Sequence, residues 1–347
     1  MIDRHRLRQT LGCWAHERWR TEVALRLGPS APPLVGWLGL HNRREHVETM
    51  PGGIACAWTG SSPLTVARVF PAVGARLLRH CLRQWPIVFR DRLEPSPDTP
   101  IVSVVLPVGG EDRIHLFRSV VQAFCGQSLR AMEVIVVEQA TTPVYEQHCP
   151  PGVRYVHVSD RPGHEFNRSR TLNAGAAAAR GKFLVLHDAD ALPPYRLCEV
   201  VAERMGDGHD GWLPHRLIFY LTAEASATFA GSRGARLPSE VGEVVQNNPS
   251  TCDAVSKSAF ESIGGYDERY QGWGGEDEEF LERLHTLRFL RGGILPLVHL
   301  WHPPAPKKAS GDRNLRLSAE VMAQPVEQRI RRLRALAGPP PGERAQP

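Results

Sequence analysis

The stretch Phe183-Leu184-Val185-Leu186-His187-Asp188-Ala189-Asp190 joins a short apolar run directly to two carboxylates. An apolar run of this length is typical of a strand that is buried on both faces of a sheet. Asp188 and Asp190 would lie on a tight turn, where their oxygens could bind a divalent cation. Aspartates in turns also bond to their own backbone, so the pair alone leaves both interpretations open.

Strands and helices alternate around this stretch. The apolar patterns predict strands over 101–107, 133–137 and 153–158, and helices over 113–125 and 169–179. Such spacing favours right-handed crossovers, hence a mostly parallel sheet with helices on both faces. Ligands of open sheets bind at the carboxyl ends of strands. Pro107, Glu138 and the Asp188/Asp190 pair are all predicted to lie at that edge.

The rest of the chain divides by composition. Residues 1–95 show no sustained period apart from 73–89 and are interpreted as an N-terminal accessory region, followed by a proline-rich linker at 94–100. The catalytic domain is predicted over 96–310. Within it, 221–250 is expected to be a mobile connection, and helices are expected over 256–263 and 276–290. Residues 311–347 are predicted to form one helix, from about 316 to 337, and a disordered proline-rich tail.

The composition excludes several classes of protein. The chain has 347 residues, 42% of them hydrophobic, and no apolar run approaches the roughly 18 residues of a membrane span. The arginine-rich start lacks a signal-peptide core, so a cytoplasmic protein is expected. Seven scattered cysteines without a C-x-x-C pair indicate reduced, mostly buried thiols. The net charge of +5 is modest and predicts no nucleic-acid groove, but arginines could bind a nucleotide diphosphate.

The acidic stretch from Gly264 to Phe280 contains the sequence Trp273-Gly-Gly-Glu276-Asp277-Glu-Glu. Adjacent carboxylates repel one another, so they favour protonation, a hydrogen-bonded polyol or a nearby cation. The indole of Trp273 offers an apolar face to a sugar ring. Together with the Asp-x-Asp pair, this stretch suggests metal-assisted transfer of a sugar.

Two further groups of residues carry side chains that could bind a ligand. His299 and His302 lie three residues apart, and imidazole beside carboxylate oxygens suits manganese or a similar ion. Phe166, Arg168 and the residues after them place arginines at a helix start, which favours a phosphate. Each pattern also has a structural interpretation: a partly buried histidine pair beside a proline turn, and a solvated, capped helix start.

Several motifs occur in an order that resembles a known protein family. Phe-Asn-Arg-x-Arg-x-Leu-Asn-x-Gly, Asp-x-Asp-Ala-Leu-Pro, Ser-Lys-x-x-Phe, Gly-Gly-Tyr, Trp-Gly-Gly-Glu-Asp-x-Glu-Phe and His-x-x-His follow one another between residues 166 and 302. The series resembles inverting GT-A glycosyltransferases of the family-2 type with a galactosyltransferase-like C-terminal half, as in β-1,4-galactosyltransferases and bacterial chondroitin polymerases. It covers about residues 101–305 and implies a Rossmann-like α/β fold, with a mostly parallel sheet flanked by helices.

The resemblance also implies roles for individual residues. Asp190, with Asp188 beside it, and His302 would hold Mn²⁺ (or Mg²⁺), and His299 falls at the position of a methionine ligand in the galactosyltransferases. The positions that hold the nucleotide in the family correspond to Pro107, Glu138, Phe166 and Arg168. Asp277 would be the catalytic base, Glu276 would bind the acceptor, and Trp273 would belong to a lid over the donor.

The sequence thus predicts a metal-dependent inverting glycosyltransferase that uses a UDP-sugar. Galactose, N-acetylgalactosamine, glucose and N-acetylglucosamine stay open as donor sugars, and a glycan, a lipid-linked sugar or a small natural product as acceptor. The expected setting is the bacterial cytoplasm, with peripheral contact at the inner membrane face through residues 1–95. Docking of the acceptor and dimerisation are equal alternatives for that region.

Three other classes of protein compete with this interpretation. A non-catalytic sugar-nucleotide or glycan-binding module would keep Arg168 and Trp273 but has little reason to keep both Asp-x-Asp and Asp277. A nucleotidyltransferase needs a glycine- and lysine-rich loop after the first strand, and residues 108–112 contain no lysine. A glycoside hydrolase would explain the carboxylates but not the metal-like cluster.

Overall fold

The structure is a computed structural model that describes residues 4–27, 32–56, 60–96, 98–161, 163–272, 274–303 and 311–337. Pro97 of the predicted linker, Trp273 and the predicted disordered tail from residue 338 lie outside the described residues. No helix within the described ranges is long and apolar enough to cross a membrane. All seven cysteines are free thiols, and five of them are buried.

The elements follow one another from an N-terminal helical part into an α/β part. The helices are α1 (Arg4–Cys13), α2 (Trp19–Arg26), α3 (Thr65–Val69), α4 (Pro71–Gln84), α5 (Ile114–Cys125), α6 (Arg168–Ala178), α7 (Leu197–Gly206), α8 (Ala223–Gly231), α9 (Lys257–Ser262), α10 (Glu276–Leu284), α11 (Gly311–Met322) and α12 (Val326–Ala337). A π-helical turn (Trp14–Arg18) joins α1 to α2, and short 3₁₀ turns cover Trp37–Gly39 and Glu146–His148.

The strands are β1 (Val47–Met50), β2 (Gly53–Cys56), β3 (Ser62–Pro63), β4 (Val102–Val108), β5 (Met132–Ala140), β6 (Arg154–Ser159), β7 (Phe183–His187), β8 (Ala191–Leu192), β9 (Gly211–Trp212), β10 (His215–Tyr220), β11 (Glu243–Gln246), β12 (Cys252–Ser256), β13 (Phe289–Leu290) and β14 (Leu295–His299). The strands predicted around residues 101–107, 133–137, 153–158 and 183–187 are therefore confirmed as β4 to β7, and the two helices between them as α5 and α6.

The central sheet has seven strands in the order β13-β9-β12-β7-β4-β5-β6. Four of its six pairings are parallel, and β12 runs antiparallel to both of its neighbours. The predicted mostly parallel α/β sheet is confirmed. A second sheet, β3-β11-β10-β14-β8, lies beside it, and β1 and β2 form a separate hairpin.

Helices cover both faces of the central sheet. On one face, Phe117 and Phe124 of α5 and Val200 of α7 pack into the larger core, which also contains side chains of α2 to α4 from the N-terminal part. On the other face, Leu172 of α6 and Phe280 of α10 pack into a smaller core. Burial on both faces explains why β4, β5 and β7 contain uninterrupted apolar runs instead of alternating apolar and polar residues.

Three expectations about local structure were wrong. Residues 221–250 are not a mobile connection, because they contain α8 and β11, and β11 pairs with both β10 and β3. The predicted helix over 276–290 ends at Leu284, since Phe289–Leu290 pairs with β9 instead. The predicted single C-terminal helix is two helices, separated at Pro325, whose missing N–H interrupts the hydrogen-bond ladder.

Candidate active site

Sheet pairing brings three of the four predicted metal ligands together, whereas Asp188 pairs with Arg168 and is not part of the group. Asp190 lies in the turn between β7 and β8, and β8 pairs with β14 so that Ala191 faces His299. The backbone N–H of Leu300 donates a hydrogen bond to the carbonyl oxygen of Asp190 at 2.8 Å. As a result, Asp190, His299 and His302 each offer one ligand atom within 4.8 Å of the others.

Asp190 is the centre of this cluster. Its Oδ1 lies 3.3 Å from His299 Nε2, and its Oδ2 lies 3.3 Å from His302 Nε2 and 2.9 Å from Arg113 NH1. Asp190 Oδ1 is buried and has no hydrogen-bond partner among the described residues. A buried carboxylate oxygen without a donor is costly unless a cation meets it.

The electrostatics of the cluster match a cation-binding group. Burial opposes ionisation of Asp190, but the His302 hydrogen bond and the charges of His299 and Arg113 hold the pKa of its carboxyl well below the usual range. Burial lowers the pKa of His299, whereas the hydrogen bond to Asp190 raises the pKa of His302. The group therefore offers an ionised carboxylate and a largely neutral imidazole, which is the form that binds a metal.

Arg168 links the Asp-x-Asp turn to the acidic helix start. It begins α6, where the side chain of Asn167 caps the helix by accepting a hydrogen bond from Arg170 N. Its Nε donates to Asp188 Oδ1 at 2.9 Å, and its NH1 donates to Asp277 Oδ1 at 2.7 Å. The predicted phosphate-binding arginine thus lies between two predicted site carboxylates.

The four acids at the start of α10 have different environments. The helix starts after Gly275, whose φ of 94° is in the left-handed region that glycine adopts readily. Glu276 is buried, the Asp277 side chain is 15% exposed, and Glu278 is exposed. Glu279 is fully buried in ion pairs with two arginines of α10 and α12, so it stabilises the fold and lies away from the site.

The buried start of α10 raises the pKa of both Glu276 and Asp277. Burial raises the pKa of Asp277 well above its ordinary value, and the charge of Arg168 opposes this shift. Burial also raises the pKa of Glu276, whose Oε2 has no hydrogen-bond partner among the described side chains. A carboxylate with a raised pKa is a stronger base than a solvated one.

The residues predicted to hold the nucleotide lie on the neighbouring strand ends. Pro107 is buried near the end of β4, and Glu138 is buried near the end of β5. Both oxygens of Glu138 accept hydrogen bonds from the backbone of Val144, and one accepts from Tyr155 Oη at 2.6 Å. Contact of Glu138 with the base of a nucleotide stays a prediction.

Phe166 lies close to the loop that follows β4. An added Cβ at Gly109 would lie 2.5 Å from the Phe166 ring, so glycine leaves room for this ring. The carbonyl oxygen of Phe166 accepts a hydrogen bond from Gly272 N at 2.9 Å, which ties this segment to the glycine loop before α10. The predicted lid residue Trp273 follows directly in that loop, but it lies outside the described residues.

The sequence interpretation missed Asp253, Tyr266 and Arg113. Asp253 is a buried carboxylate in β12, and the hydroxyl of Tyr266 donates a hydrogen bond to it. Arg113 donates a hydrogen bond to Asp190. Asp253 is the one acidic residue in the otherwise uncharged run from Cys252 to Val255, and this position could have indicated a functional role. No sequence pattern indicated that Tyr266 contacts Asp253 or that Arg113 contacts Asp190, because each contact joins residues that are well separated along the chain.

Comparisons with known proteins agree with the ordered motifs. A family model described as glycosyl transferase family 2 matches residues 103–264, and one described as N-terminal domain of galactosyltransferase matches residues 252–290. The O-antigen biosynthesis protein RfbC of Myxococcus xanthus is 30% identical over 250 residues, which are 65% of this chain and 19% of that protein. The match spans about a fifth of that relative.

Among solved structures, the mannosyltransferase PcManGT from Pyrobaculum calidifontis, in complex with GDP-Man and Mn²⁺, is similar at 16% sequence identity. The match covers 80% of this chain and 87% of that chain, with a TM-score of 0.41.

Proposed function

The chain belongs to the family-2 glycosyltransferases, with the GT-A fold and a galactosyltransferase-like C-terminal part, and on this premise we propose a specific reaction. The protein transfers a hexose or an N-acetylhexosamine from a UDP-sugar to a hydroxyl of an acceptor, with inversion at the anomeric carbon and dependence on a metal ion. The observation that carries this proposal is the cluster of Asp190, His299 and His302 at the strand edge that also presents Asp188 and Arg168.

The donor set fits Mn²⁺ better than Mg²⁺. Two imidazoles and one carboxylate suit a first-row transition ion, whereas Mg²⁺ favours oxygen ligands. Asp190 Oδ1 accepts no hydrogen bond from the described residues, which supports the presence of a cation at this site. Bound there, such an ion would supply Lewis-acid stabilisation of the departing diphosphate.

Asp277 performs the proton transfer in this proposal. A sugar hydroxyl is a poor nucleophile, so Asp277 accepts its proton while the oxygen forms a bond to the anomeric carbon. The bond from that carbon to the diphosphate oxygen breaks in the same step, and in-line attack inverts the centre. Arg168 orients Asp277 through a 2.7 Å hydrogen bond, and Glu276 binds the acceptor beside it.

The nucleotide lies at the ends of β4 and β5 in this proposal. Pro107, Glu138 and Phe166 line its place, and Trp273 closes over the donor and excludes water, which would otherwise hydrolyse it. The relative named for O-antigen biosynthesis favours a glycan as the acceptor class, in place of a small natural product.

The N-terminal helices α1 and α2 expose an apolar face that, in this proposal, binds an anionic membrane. Leu7, Leu11, Trp14, Trp19 and Val23 are exposed apolar residues, at steps of four, three, five and four positions. The step of five coincides with the π-helical turn, which takes an extra residue and keeps these side chains on one face. This set is the apolar stripe.

Basic residues accompany the apolar stripe. Arg8 and Arg26 are exposed near its two ends. Residues 4–26 contain six arginines and two glutamates. A helix with a tryptophan-containing apolar face and a positive charge binds at the interface of anionic bilayers. A lipid-linked glycan acceptor would be presented at such a surface.

Vesicle sedimentation tests this contact. The wild type should sediment with phosphatidylglycerol vesicles but not with phosphatidylcholine vesicles, and a double variant Trp14→Ser/Trp19→Ser should stay in solution. Leu315→Ser removes an exposed apolar residue of α11, outside the stripe, and should bind like the wild type. Dimers that depend on Trp14 and Trp19, without vesicle binding, would assign the stripe to a second copy of the chain.

A UDP-release assay tests the reaction. We expect release from one member of a panel of UDP-sugars with Mn²⁺, and loss of release with a chelator or in Asp190→Ala. Tight UDP binding without turnover of any donor, with every acceptor class present, would instead indicate a non-catalytic sugar-nucleotide-binding module.

A further inference from the structure

A second buried carboxylate lies behind Asp277. Asp253 occupies β12, all of whose residues are buried, and 2% of its own surface is exposed. Its Oδ2 accepts a hydrogen bond from the Tyr266 hydroxyl at 3.2 Å, and its Oδ1 has no hydrogen-bond partner in the part of the chain that is described. A carboxyl group placed in this way costs stability, so a purely structural role explains it poorly.

The Tyr266 hydroxyl lies between Asp253 and Asp277. It is 3.2 Å from Asp253 Oδ2 and 3.5 Å from Asp277 Oδ1. A phenol has one proton to donate, so a strong hydrogen bond to one carboxylate weakens the bond to the other. The two acids therefore compete for the same donor.

The rest of Tyr266 is held in place. Its ring stacks on Phe280 with centroids 4.1 Å apart, and its backbone N–H donates to Asn173 Oδ1 at 2.8 Å. The side chain of Asn173 also donates to the Tyr266 carbonyl oxygen at 3.0 Å. Because the ring cannot follow either acid, the direction of the hydroxyl proton is the variable part of this arrangement.

More carboxyl groups than cations surround Asp253 and Asp277. The groups that face them are Arg168, whose guanidinium contacts Asp188 and Asp277, and the carboxyls of Asp188 and Glu276. Burial raises the pKa of Asp253 to about 7, against the lowering by Arg168 and the Tyr266 hydrogen bond, and Asp188 raises it further. Asp253 therefore changes its charge near neutral pH, and its charge acts on Asp277.

We propose that Asp253 is a positioning residue for sugar transfer, acting through Tyr266 on Asp277. As a carboxylate, Asp253 draws the Tyr266 proton to itself and leaves Asp277 without that hydrogen bond. The negative charge of Asp253 also makes Asp277 a stronger base, since like charges disfavour ionisation of both. This inference rests on the proposed function, in which Asp277 accepts the proton of the acceptor hydroxyl, and Asp253 itself exchanges no covalent bond.

Asp253→Asn separates charge from packing. The amide oxygen can still accept the Tyr266 hydrogen bond, so the variant removes the charge and little of the shape. With the aspartate carboxyl carbons labelled with ¹³C, NMR can follow the titration of Asp277, whose signal is the one missing in Asp277→Asn. We expect the Asp277 midpoint to fall by about one pH unit in Asp253→Asn. An unmoved midpoint overturns the proposal.

The pH profile of transfer gives an independent readout. The acid limb of kcat/KM should shift to lower pH in Asp253→Asn, because the proton acceptor ionises more readily. A merely structural role would lower the rate equally at every pH, and that result would also overturn the proposal. Glu278→Gln, which removes an exposed acid next to Asp277, should keep the wild-type limb.

Tyr266→Phe provides a second variant if Asp253→Asn does not fold. It keeps the stacked ring and removes the hydroxyl for which both acids compete, so the midpoint of Asp277 should shift from its wild-type value. An unchanged midpoint in this variant contradicts the proposal. Absence of transfer in the wild type would refute the proposed function, and the NMR midpoints, which need no substrate, would still decide whether Asp253 acts on Asp277.

Discussion

At the residue scale, the cluster of Asp190, His299 and His302 is the feature that most constrains function. Three ligand-type atoms within 4.8 Å, one of them a buried carboxylate oxygen without a donor, are costly without a cation. The sequence predicted all three residues as ligands, because Asp190 closely follows an apolar strand and the two histidines are three residues apart. It could not predict Arg113, which reaches Asp190 from the start of α5.

Removal of His302 should weaken metal binding. We expect His302→Ala to lower the affinity for Mn²⁺ by at least about tenfold, since one of three ligands is lost. Isothermal titration with MnCl₂ measures this. His46→Ala removes a histidine whose side chain is 73% exposed and should bind like the wild type. Equal affinities in the two variants would exclude His302 as a ligand.

Asp253 should make stability depend on pH. Its pKa is about 7 in the folded chain and near 3.8 when unfolded, so between these values the folded state holds a proton that the unfolded state lacks. The contribution of Asp253 to the free energy of unfolding therefore falls as pH rises from about 4 to about 7. Relative to Asp253→Asn, the wild type should lose up to a few kcal/mol over this window.

Urea denaturation of both proteins at several pH values tests this expectation. The difference in free energy of unfolding between wild type and Asp253→Asn should change from pH 4 to pH 7 and stay constant above pH 8. A difference that is constant throughout would show that Asp253 has an ordinary pKa in the folded chain.

At the element scale, apolar patterns predicted the buried strands and their helices but not the short strands. β4, β5 and β7 each contain an uninterrupted apolar run, at 104–106, 134–137 and 183–186, and such a run is a local property of the sequence. By contrast, Phe289–Leu290 forms a strand only because Gly211–Trp212 lies beside it, so local preference favoured an extension of α10. Tertiary pairing therefore decided the two-residue strands.

Close packing of α6 on the sheet predicts a sensitive glycine. An added Cβ at Gly175 would lie 2.2 Å from Val105 Cγ1, so Gly175→Ala should force α6 away from β4 and cost about 1–3 kcal/mol of stability. Gly206→Ala, in α7, meets nothing within 4 Å and should be neutral or stabilising. Chemical denaturation measures both, and equal stabilities would contradict the close packing.

At the scale of the whole molecule, the C-terminal helices support the active site. Arg329 of α12 is buried and pairs with Glu279, which also pairs with Arg283. Glu279 belongs to the same helical turn as Glu276 and Asp277, so this ion network fixes the start of α10. The sequence predicted a helix in the region of α12 but not this network, because its partners are about fifty positions apart.

Removal of Arg329 should destabilise the protein strongly. Arg329→Ala leaves Glu279 buried with one partner fewer, and breaking a buried pair costs about 3–5 kcal/mol. Arg331 lies two residues further along α12 and is exposed, so Arg331→Ala should cost less than about 1 kcal/mol. Urea denaturation of the two variants tests this, and similar losses would show that α12 does not hold α10.

The proposed role of Asp277 as the base is tested most directly by the initial rate of sugar transfer in Asp277→Asn and Glu278→Gln, with Mn²⁺ and the donor identified by UDP release. The two variants remove neighbouring carboxyl charges from α10: that of Asp277 is largely buried against Arg168, and that of Glu278 is exposed. We expect Asp277→Asn to lower kcat by about 10²-fold or more, with UDP binding retained, and Glu278→Gln to stay near the wild-type rate. Wild-type rates in Asp277→Asn would contradict its role as the base.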